Sequence, residues 1–352
     1  MQRPFNLSLF KIILCASLVV ATSTFLSSAL AQESAPRALK SAQDLVELLK
    51  SRVGVDYPIP DSVPYDVLAC EQRDSKIVLY RAGADWNEKS AVVWEWDPKE
   101  SFPEEEAKSF GHVDECKPAR GTSLVLICSS GGGAAIVRFA DKKVLFFARP
   151  NGNTHSIELL PDGNVVTASS TGAYVALFAA PDFETVGETA EKTPIARKYP
   201  LEGGHGVVWD AKRELLWALG SKEIVGYEYV GEKSKPELKE KYRIELKGTA
   251  VGGHDFYPAP GFDAIMTTGR GVNVFDPETR AVTSVANMNQ IKSISLTPDG
   301  VLMIQRAAVE WWNESLLYGD ASGAVVGTNS GARFYKARWF IPNEFREPPV
   351  KD

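Results

Sequence analysis

Three of the four histidines in this 352-residue chain recur at nearly equal intervals. His155, His205 and His254 are separated by 50 and 49 residues, and Lys292 takes the same position in a fourth segment. In each segment a turn signal begins six residues after this position. Because a structural repeat brings equivalent positions to equivalent places, this spacing predicts that the four side chains meet in the folded protein.

Three convergent imidazoles can perform two kinds of chemistry. In the first, His155, His205 and His254 bind one divalent metal ion, Mn²⁺ or Zn²⁺, and leave an open coordination position. In the second, which needs no metal, one histidine is a general base while the others and Lys292 bind anionic groups. A lysine beside a divalent cation would be repelled, so the two interpretations compete. A third interpretation is that duplication has copied a strand-capping histidine that has no chemical role.

These segments belong to a repeat that runs through most of the chain. Each copy predicts three or four antiparallel strands, and a single sheet of this kind cannot bury both of its faces. Six copies at roughly 40–50-residue spacing predict an all-β, six-bladed β-propeller. The alternative is a β-sandwich with coincidental internal similarity. The copies are 65–96, 115–139, 155–180, 205–230, 254–280 and 292–307, and residues 333–340 are expected to close the ring near the first blade.

In a propeller the first strand of each blade lines the central channel, so the histidines should surround one mouth of that channel. Glu115 or His112 would supply a fifth side chain. Basic residues also map to this face and favour a carboxylated substrate, although solvated surface lysines and arginines would look the same. The predicted substrate-binding residues are Arg73, Lys117, Lys222, Arg270 and Arg306. Trp94, Trp96, Trp311 and Trp312 are candidates either for sugar stacking at the rim or for packing between blades.

The N-terminus has the pattern of a secretory signal peptide. Residues 1–31 carry Arg3 and Lys11, an apolar stretch, and an Ala-Leu-Ala cleavage site, so we expect an exported protein in the periplasm or outside the cell. Polar residues interrupt the apolar stretch and argue against a membrane span. A leader and short helix should occupy 32–54, with Ser41 and Asp44 in a capping box, followed by the propeller at 55–345 and a tail at 346–352.

Composition excludes several other classes of protein. The net charge of −6 becomes −8 once the signal peptide is removed, because Arg3 and Lys11 leave with it, and this disfavours nucleic acid as a partner. Three cysteines remain, so disulfides cannot be the basis of the fold, and Cys70 and Cys128 fit best as small buried residues. The glycine-rich segment 129–133 lacks the following helix that a phosphate-binding loop requires.

Several segments resemble a family of exported, mainly bacterial propeller proteins known as a domain of unknown function. They include "CSSGGGAAIVRF", "GNTHSIELLPDGNVVTASSTG", "GHGVVWD" and "GGHDFYP", and the resemblance covers about residues 65–340. It implies a propeller in which His155, His205, His254 and Lys292 belong to the family pattern. In architecture the chain is also similar to propeller polysaccharide lyases, in which channel histidines hold a divalent metal or remove a proton next to a uronate carboxylate.

The sequence therefore predicts an exported propeller whose histidine-rich mouth binds an acidic carbohydrate. Cleavage by β-elimination, with or without a metal ion, would use His155, His205, His254 and Lys292. The alternative function is a non-catalytic propeller that binds a glycan or a protein at the same face. The fold is compatible with both, because propellers host catalytic and binding functions.

Overall fold

The computed structural model describes residues 39–55, 58–59, 61–187, 190–319 and 324–347, and the predicted signal peptide lies outside them. The first element is helix α1 (Ala42–Lys50). Its N-cap residue Ser41 accepts a hydrogen bond from the backbone N–H of Asp44, and the Asp44 carboxylate accepts one from the backbone N–H of Ser41. This is the predicted capping box, which satisfies two N–H groups that a helix start leaves without partners.

The described residues form six β-sheets, each a blade of a six-bladed propeller, as the repeat predicted. The first three blades contain β1 (Val67–Glu71), β2 (Lys76–Tyr80), β3 (Val92–Trp96), β4 (Val113–Ala119), β5 (Leu124–Ser129), β6 (Ala134–Arg138), β7 (Val144–Ala148), β8 (Thr154–Leu159), β9 (Val165–Ser169), β10 (Tyr174–Phe178), β11 (Lys192–Thr193) and β12 (Arg197–Pro200). Strand β12 completes blade three, whereas β11 returns to blade two and pairs parallel with β7.

The last three blades and the closing strand contain β13 (Gly206–Asp210), β14 (Leu215–Leu219), β15 (Glu223–Glu232), β16 (Lys235–Glu245), β17 (Asp255–Pro258), β18 (Ile265–Thr268), β19 (Val272–Asp276), β20 (Ala281–Ala286), β21 (Ile291–Leu296), β22 (Leu302–Arg306), β23 (Ser315–Tyr318), β24 (Val325–Thr328) and β25 (Phe334–Trp339). Two short helices, α2 (Pro98–Ser101) and α3 (Glu104–Ala107), join blade one to blade two. Four 3₁₀ turns occupy Lys89–Ala91, Lys108–Phe110, Phe183–Thr185 and Gly248–Ala250.

Ring closure uses the C-terminal strand. Strand β25 pairs antiparallel with β1 and becomes the innermost strand of blade one, in the order β25-β1-β2-β3. It also packs against β4 and β21, the inner strands of the two neighbouring blades. The first and last strands of the propeller therefore belong to one blade, so the ring cannot open without breaking backbone hydrogen bonds of a sheet. This arrangement confirms the predicted role of residues 333–340.

The apolar core lies between the blades. Six buried clusters each join residues from two adjacent blades, and the cluster between blades five and six also takes in Leu45, Val46 and Leu49 of α1. Cys70, Cys116 and Cys128 are buried and free, as small core residues. The repeated Pro-Asp-Gly turns need Gly163 and Gly300, whose φ angles are +93° and +89°, conformations that residues with a side chain rarely adopt.

The central channel is filled by charged side chains instead of apolar ones. Lys336 and Arg338 of β25 are 0% exposed, and both lie beside Glu115 and Asp255. The Arg338 guanidinium donates to Asp255 at 2.6 and 2.8 Å and to Glu115 at 2.8 Å. Buried charges are tolerated only when paired and hydrogen-bonded, so this cluster must be assembled completely.

The far end of the channel is closed by Arg346. Its guanidinium donates to the Glu158 carboxylate, with a shortest distance of 2.6 Å, and to the carbonyl of Pro118. Lys117 lies 3.7 Å from the same carboxylate. The sequence-based assignment of residue 346 to a tail is therefore wrong at this position, because the side chain is buried inside the propeller.

Replacing Arg346 by Met should lower the free energy of unfolding by about 3–5 kcal/mol, because Glu158 would lose its principal partner while remaining buried. Chemical denaturation of the purified variant measures this change. The control is Lys222→Ala, which removes an exposed ion pair with Glu202 (3.4 Å) and should cost less than about 1 kcal/mol. Equal losses of stability from the two substitutions would contradict the role of Arg346 in closing the channel.

Candidate functional site

The entries to β8, β13 and β17 bring three of the predicted histidines into contact at one mouth of the channel. The rings of His155 and His205 are stacked, with centroids 4.4 Å apart and planes inclined by 16°. His205 and His254 meet edge to face, with centroids 5.1 Å apart. Lys292 of β21 follows, and its Nζ lies 3.4 Å from Nε2 of His254. Consecutive blades thus place equivalent residues in one continuous row.

The three histidines of this row form one wall of a cavity of about 440 Å³, which Lys292 does not line. This volume falls within the roughly 300–1,000 Å³ typical of small-molecule sites. The lining residues are Gln72, His112, Asp114, Ser130, Asn153, His155, His205, His254, Trp311 and Tyr335. His112 thus supplies the fifth side chain at this mouth, while Glu115, the other candidate, lies below in the buried ion cluster.

Hydrogen bonds determine which imidazole nitrogens carry protons. Nδ1 of His205 is 2.8 Å from the carbonyl oxygen of Gly203, which can only accept, so a neutral His205 is protonated at Nδ1 and has its lone pair on Nε2. A charged Lys292 donates to Nε2 of His254 and places the proton of that imidazole on Nδ1. His205 Nε2 is therefore the nitrogen best prepared to accept a proton.

A chain of hydrogen bonds runs from the rim of the cavity to Asp114, which lies beside His155. The indole N–H of Trp311 donates to Oε1 of Gln72 at 2.9 Å, and Nε2 of Gln72 donates to Oδ1 of Asp114 at 2.8 Å. The other oxygen of Asp114 lies 3.4 Å from Nδ1 of His155. This chain fixes the orientation of the Trp311 indole, which is 42% exposed and lines the cavity.

The electrostatic environment keeps the imidazoles neutral. Burial lowers the pKa of His205 to about 4, and burial together with Lys292 lowers that of His254 to about 3. Burial and the neighbouring His205 hold the pKa of His155 well below its usual value. The cation of Lys336 contributes to all three shifts and also lowers the pKa of Lys292, whose larger cause is burial. The floor of the cavity therefore disfavours any additional positive charge.

Asp114 has the opposite shift. Burial raises the pKa of its carboxyl group to about 8, although hydrogen bonds from Ser130 and Gln72 act in the other direction. The carboxyl group is thus largely protonated near neutral pH and can donate as well as accept. Below it, burial opposes the charge of Glu115, but Arg338, Lys336 and Lys117 lower its pKa to about 2. Two adjacent residues of one strand therefore hold different charge states.

The five basic residues predicted to bind substrate do not line the cavity. Lys117 was expected at the rim, and this placement is wrong: its Nζ donates to Ser156 Oγ and to the carbonyl of Val207 deep in the channel. Arg73, Lys222 and Arg270 lie at turns on the same face as the cavity, and Arg306 ends strand β22. Arg73 donates to the carbonyl of Gly331, and Arg306 to that of Asn289.

Two of the predicted tryptophans pack between blades, and the other two lie at or beside the cavity. Trp94 and Trp96 are buried between blades one and two, with Trp94 donating to the carbonyl of Phe139. Trp311 lines the cavity, while Trp312 lies beside it with the Arg333 guanidinium 5.1 Å from its ring. Sequence reasoning missed Gln72, Ser130, Asn153 and Tyr335 as cavity residues. For Tyr335 a signal existed, because it begins the closing strand and thus stands at the same mouth as the histidines.

Within the described ranges, no group of three His, Cys, Asp or Glu side chains is placed to hold a metal ion. The reason is visible in the ring geometry, since His155 and His205 stack face to face and His254 is turned toward Lys292. Within the same residues, no helix combines the length and apolar character that crossing a membrane requires.

Residues 54–352 match a family of unknown function, DUF6528. The chain belongs to this family. No protein with a curated description matches it.

Solved structures similar to this DUF6528 protein include three with TM-scores below 0.5. Dihydro-haem d1 dehydrogenase NirN in complex with DHE gives 0.40 at 15% identity over 75% of this chain, which spans about half (53%) of that protein. A protein of unknown function from Bacteroides caccae gives 0.47 at 14% identity, covering 78% of this chain and 98% of the other. A putative 6-phosphogluconolactonase from Bacteroides fragilis gives 0.44 at 12% identity, covering 71% and 90%. These similarities are too weak to carry an argument about chemistry.

The neutral histidines should make the stability of this DUF6528 protein depend on pH. Between an unfolded pKa near 6.5 and the folded pKa of about 4 for His205, the unfolded chain binds more protons, so stability falls as pH decreases through this window. We expect His205→Asn, which retains a donor toward Gly203, to reduce the loss of stability between pH 7 and pH 4.5 by on the order of 1–2 kcal/mol. Denaturation curves at the two pH values measure it.

The matched control for this prediction is His112→Asn, because His112 is an exposed histidine at the same cavity. That variant should retain the pH dependence of the parent protein. If His205→Asn and His112→Asn change the pH dependence of stability equally, the conclusion that burial keeps His205 neutral is wrong.

Proposed function

We propose that this exported propeller binds an acidic carbohydrate in the histidine cavity, with the carboxylate drawn to the positive charge of the channel. The observation that carries the proposal is the position of Lys336, a buried cation that donates to the carbonyl of His155 and adds to the effect of burial on the pKa of His155, His205, His254 and Lys292. An anion in the cavity would offset this positive charge. A neutral ligand of the same size would not.

The formal charges of the channel support an anionic ligand. Among the described residues the channel buries five cationic side chains, Lys117, Lys292, Lys336, Arg338 and Arg346, against four carboxylates, Asp114, Glu115, Glu158 and Asp255. The imbalance grows when Asp114 is protonated, which its raised pKa favours near neutral pH. Since uncompensated buried charge is costly, the free protein has a driving force to take up one negative group.

The same cavity contains the groups that β-elimination from a uronate requires. Nε2 of His205 would remove the proton next to the carboxylate, the electron pair would form a carbon–carbon double bond, and the bond to the glycosidic oxygen would break. That oxygen would take a proton from a group that holds one at neutral pH. Tyr335, whose pKa burial raises well above its ordinary value, and Asp114 both satisfy this condition.

One observation favours the alternative, a propeller that binds its ligand without cleaving it. General bases work best when their pKa is close to the operating pH, whereas the pKa of His205 is about 4 and that of His254 about 3. A bound carboxylate would raise the pKa of both histidines toward neutral pH. Catalysis therefore depends on how far the ligand raises these two pKa values. A metal-assisted version would require the three rings to turn toward one point, against the repulsion of Lys292.

Isothermal titration with uronic acids and with the corresponding neutral sugars tests the binding proposal. We expect binding of the uronic acids, with affinity at least about tenfold weaker for neutral sugars, because a charge-assisted hydrogen bond contributes about 1.5–3 kcal/mol. Lys292→Met and His205→Ala should weaken binding of uronic acids, whereas Lys222→Ala, a change at an exposed residue on the same face, should not. Equal affinities for charged and neutral sugars would overturn the proposal.

Ultraviolet absorbance of unsaturated uronate products, measured with pectins, alginates, ulvans and glycosaminoglycans, separates the two functions. Product formation that His205→Ala abolishes supports elimination. Binding without product, in the presence and absence of added Mn²⁺ or Zn²⁺, establishes the non-catalytic alternative. Metal analysis of the protein and of the His205→Ala variant tests the metal-assisted version. The absence of stoichiometric metal from both would exclude that version.

A further inference from the structure

We infer that the cavity receives the end of an acidic glycan chain, a single terminal sugar acid, and not an internal segment. This inference rests on the proposed function and adds the part of the substrate that is recognised. It is carried by the shape and filling of the channel, which are independent of the pKa shifts.

The cavity ends at a floor. Directly below His155, Lys336 Nζ donates to the carbonyl oxygen of that residue at 3.0 Å and lies 3.3 Å from Glu115. Arg338, Asp255 and Lys117 fill the next level, and all three are fully buried. Arg346 then closes the opposite end through Glu158. A glycan chain therefore cannot thread through the propeller, and whatever enters at the histidines must stop there.

The volume fits one sugar acid. About 440 Å³ holds one hexuronic acid and leaves space for the bond to the next residue of a chain. Polar groups are available on several sides, because the lining combines imidazoles, the carboxyl of Asp114, and the side chains of Ser130 and Asn153. Such a blind cavity suits a ligand with hydroxyl groups around its ring.

The rim supplies a stacking surface for the same terminal residue. The orientation of Trp311 is fixed by its hydrogen bond to Gln72, whose own amide is held by Asp114 and by the carbonyl of Val113. Gln72 is buried, so the indole is supported from below by a rigid side chain. A fixed, exposed indole offers an apolar face to the C–H groups of a sugar ring at low entropic cost. The rest of the glycan would continue outward into solvent.

The test compares uronic acid oligomers of increasing length by isothermal titration with the full mature protein. Chain-end recognition predicts an affinity per chain that changes less than about threefold from the disaccharide to the hexasaccharide, and one protein bound per chain of long polymer. A rise in affinity of more than about tenfold with oligomer length, or several protein molecules bound along one polymer chain, overturns the inference. Either result would leave acidic-carbohydrate binding intact. No binding by any length would overturn the proposed function and this inference together.

Trp311→Ala provides a second, independent readout. We expect it to weaken binding of the monosaccharide and the hexasaccharide by the same factor, roughly 3- to 10-fold, because only the terminal residue stacks on the indole. Trp312→Ala is the matched control, since Trp312 is adjacent in sequence but does not line the cavity. A Trp311→Ala effect that appears only with long oligomers would place the indole under an internal residue and contradict chain-end recognition.

Discussion

The structure depends on the ion cluster that Lys336 and Arg338 form with Glu115 and Asp255 at the centre of the ring. The two cations come from the last strand, β25, and the two carboxylates come from blades two and five. Burying any one of these charges alone would cost several kcal/mol. Ring closure by β25 and neutralisation of the channel are therefore a single event, and the closing strand determines the electrostatics of the site as well as the integrity of the fold.

The buried ion cluster explains why the cavity differs from an ordinary histidine-rich surface. Neutral imidazoles lie directly above a buried cation, and Lys292 lies beside them, so the mouth has a positive field without carrying charged histidines. Free histidines near the surface would titrate near pH 6.5 and bind anions only in acid. Here the field comes from Lys336, whose pKa is raised by Glu115 and Asp255 although burial opposes its charge. The hydrogen-bonded chain from Trp311 through Gln72 to Asp114 joins the exposed rim to this interior.

The repeat made the fold predictable, because equal spacing of strands and turns has few structural solutions, and a common register of His155, His205 and His254 implied a common location. The residues that fill the channel were harder to predict from the sequence. Glu115 and Lys117 alternate along β4, as Lys336 and Arg338 do along β25, and such alternation normally indicates a solvated face. In the inner strand of a propeller it indicates the channel instead. Arg346 and Gln72 were missed because the first lies beyond the last strand and the second lies within the first, most divergent copy. Ring orientations, which decide between a metal site and a metal-free one, depend on local contacts such as that between His205 and Gly203.

The central claim is that burial, together with the charge of Lys336, keeps the imidazoles neutral until an anion arrives. NMR titration of the imidazole nitrogens of His205 and His254, without and with a uronic acid, tests it most directly. We predict that both residues titrate well below the ordinary histidine range in the free protein, near pH 4 and pH 3, and that the ligand raises both values. Titration of the free protein at the ordinary value near 6.5, unchanged by the ligand, would contradict the account.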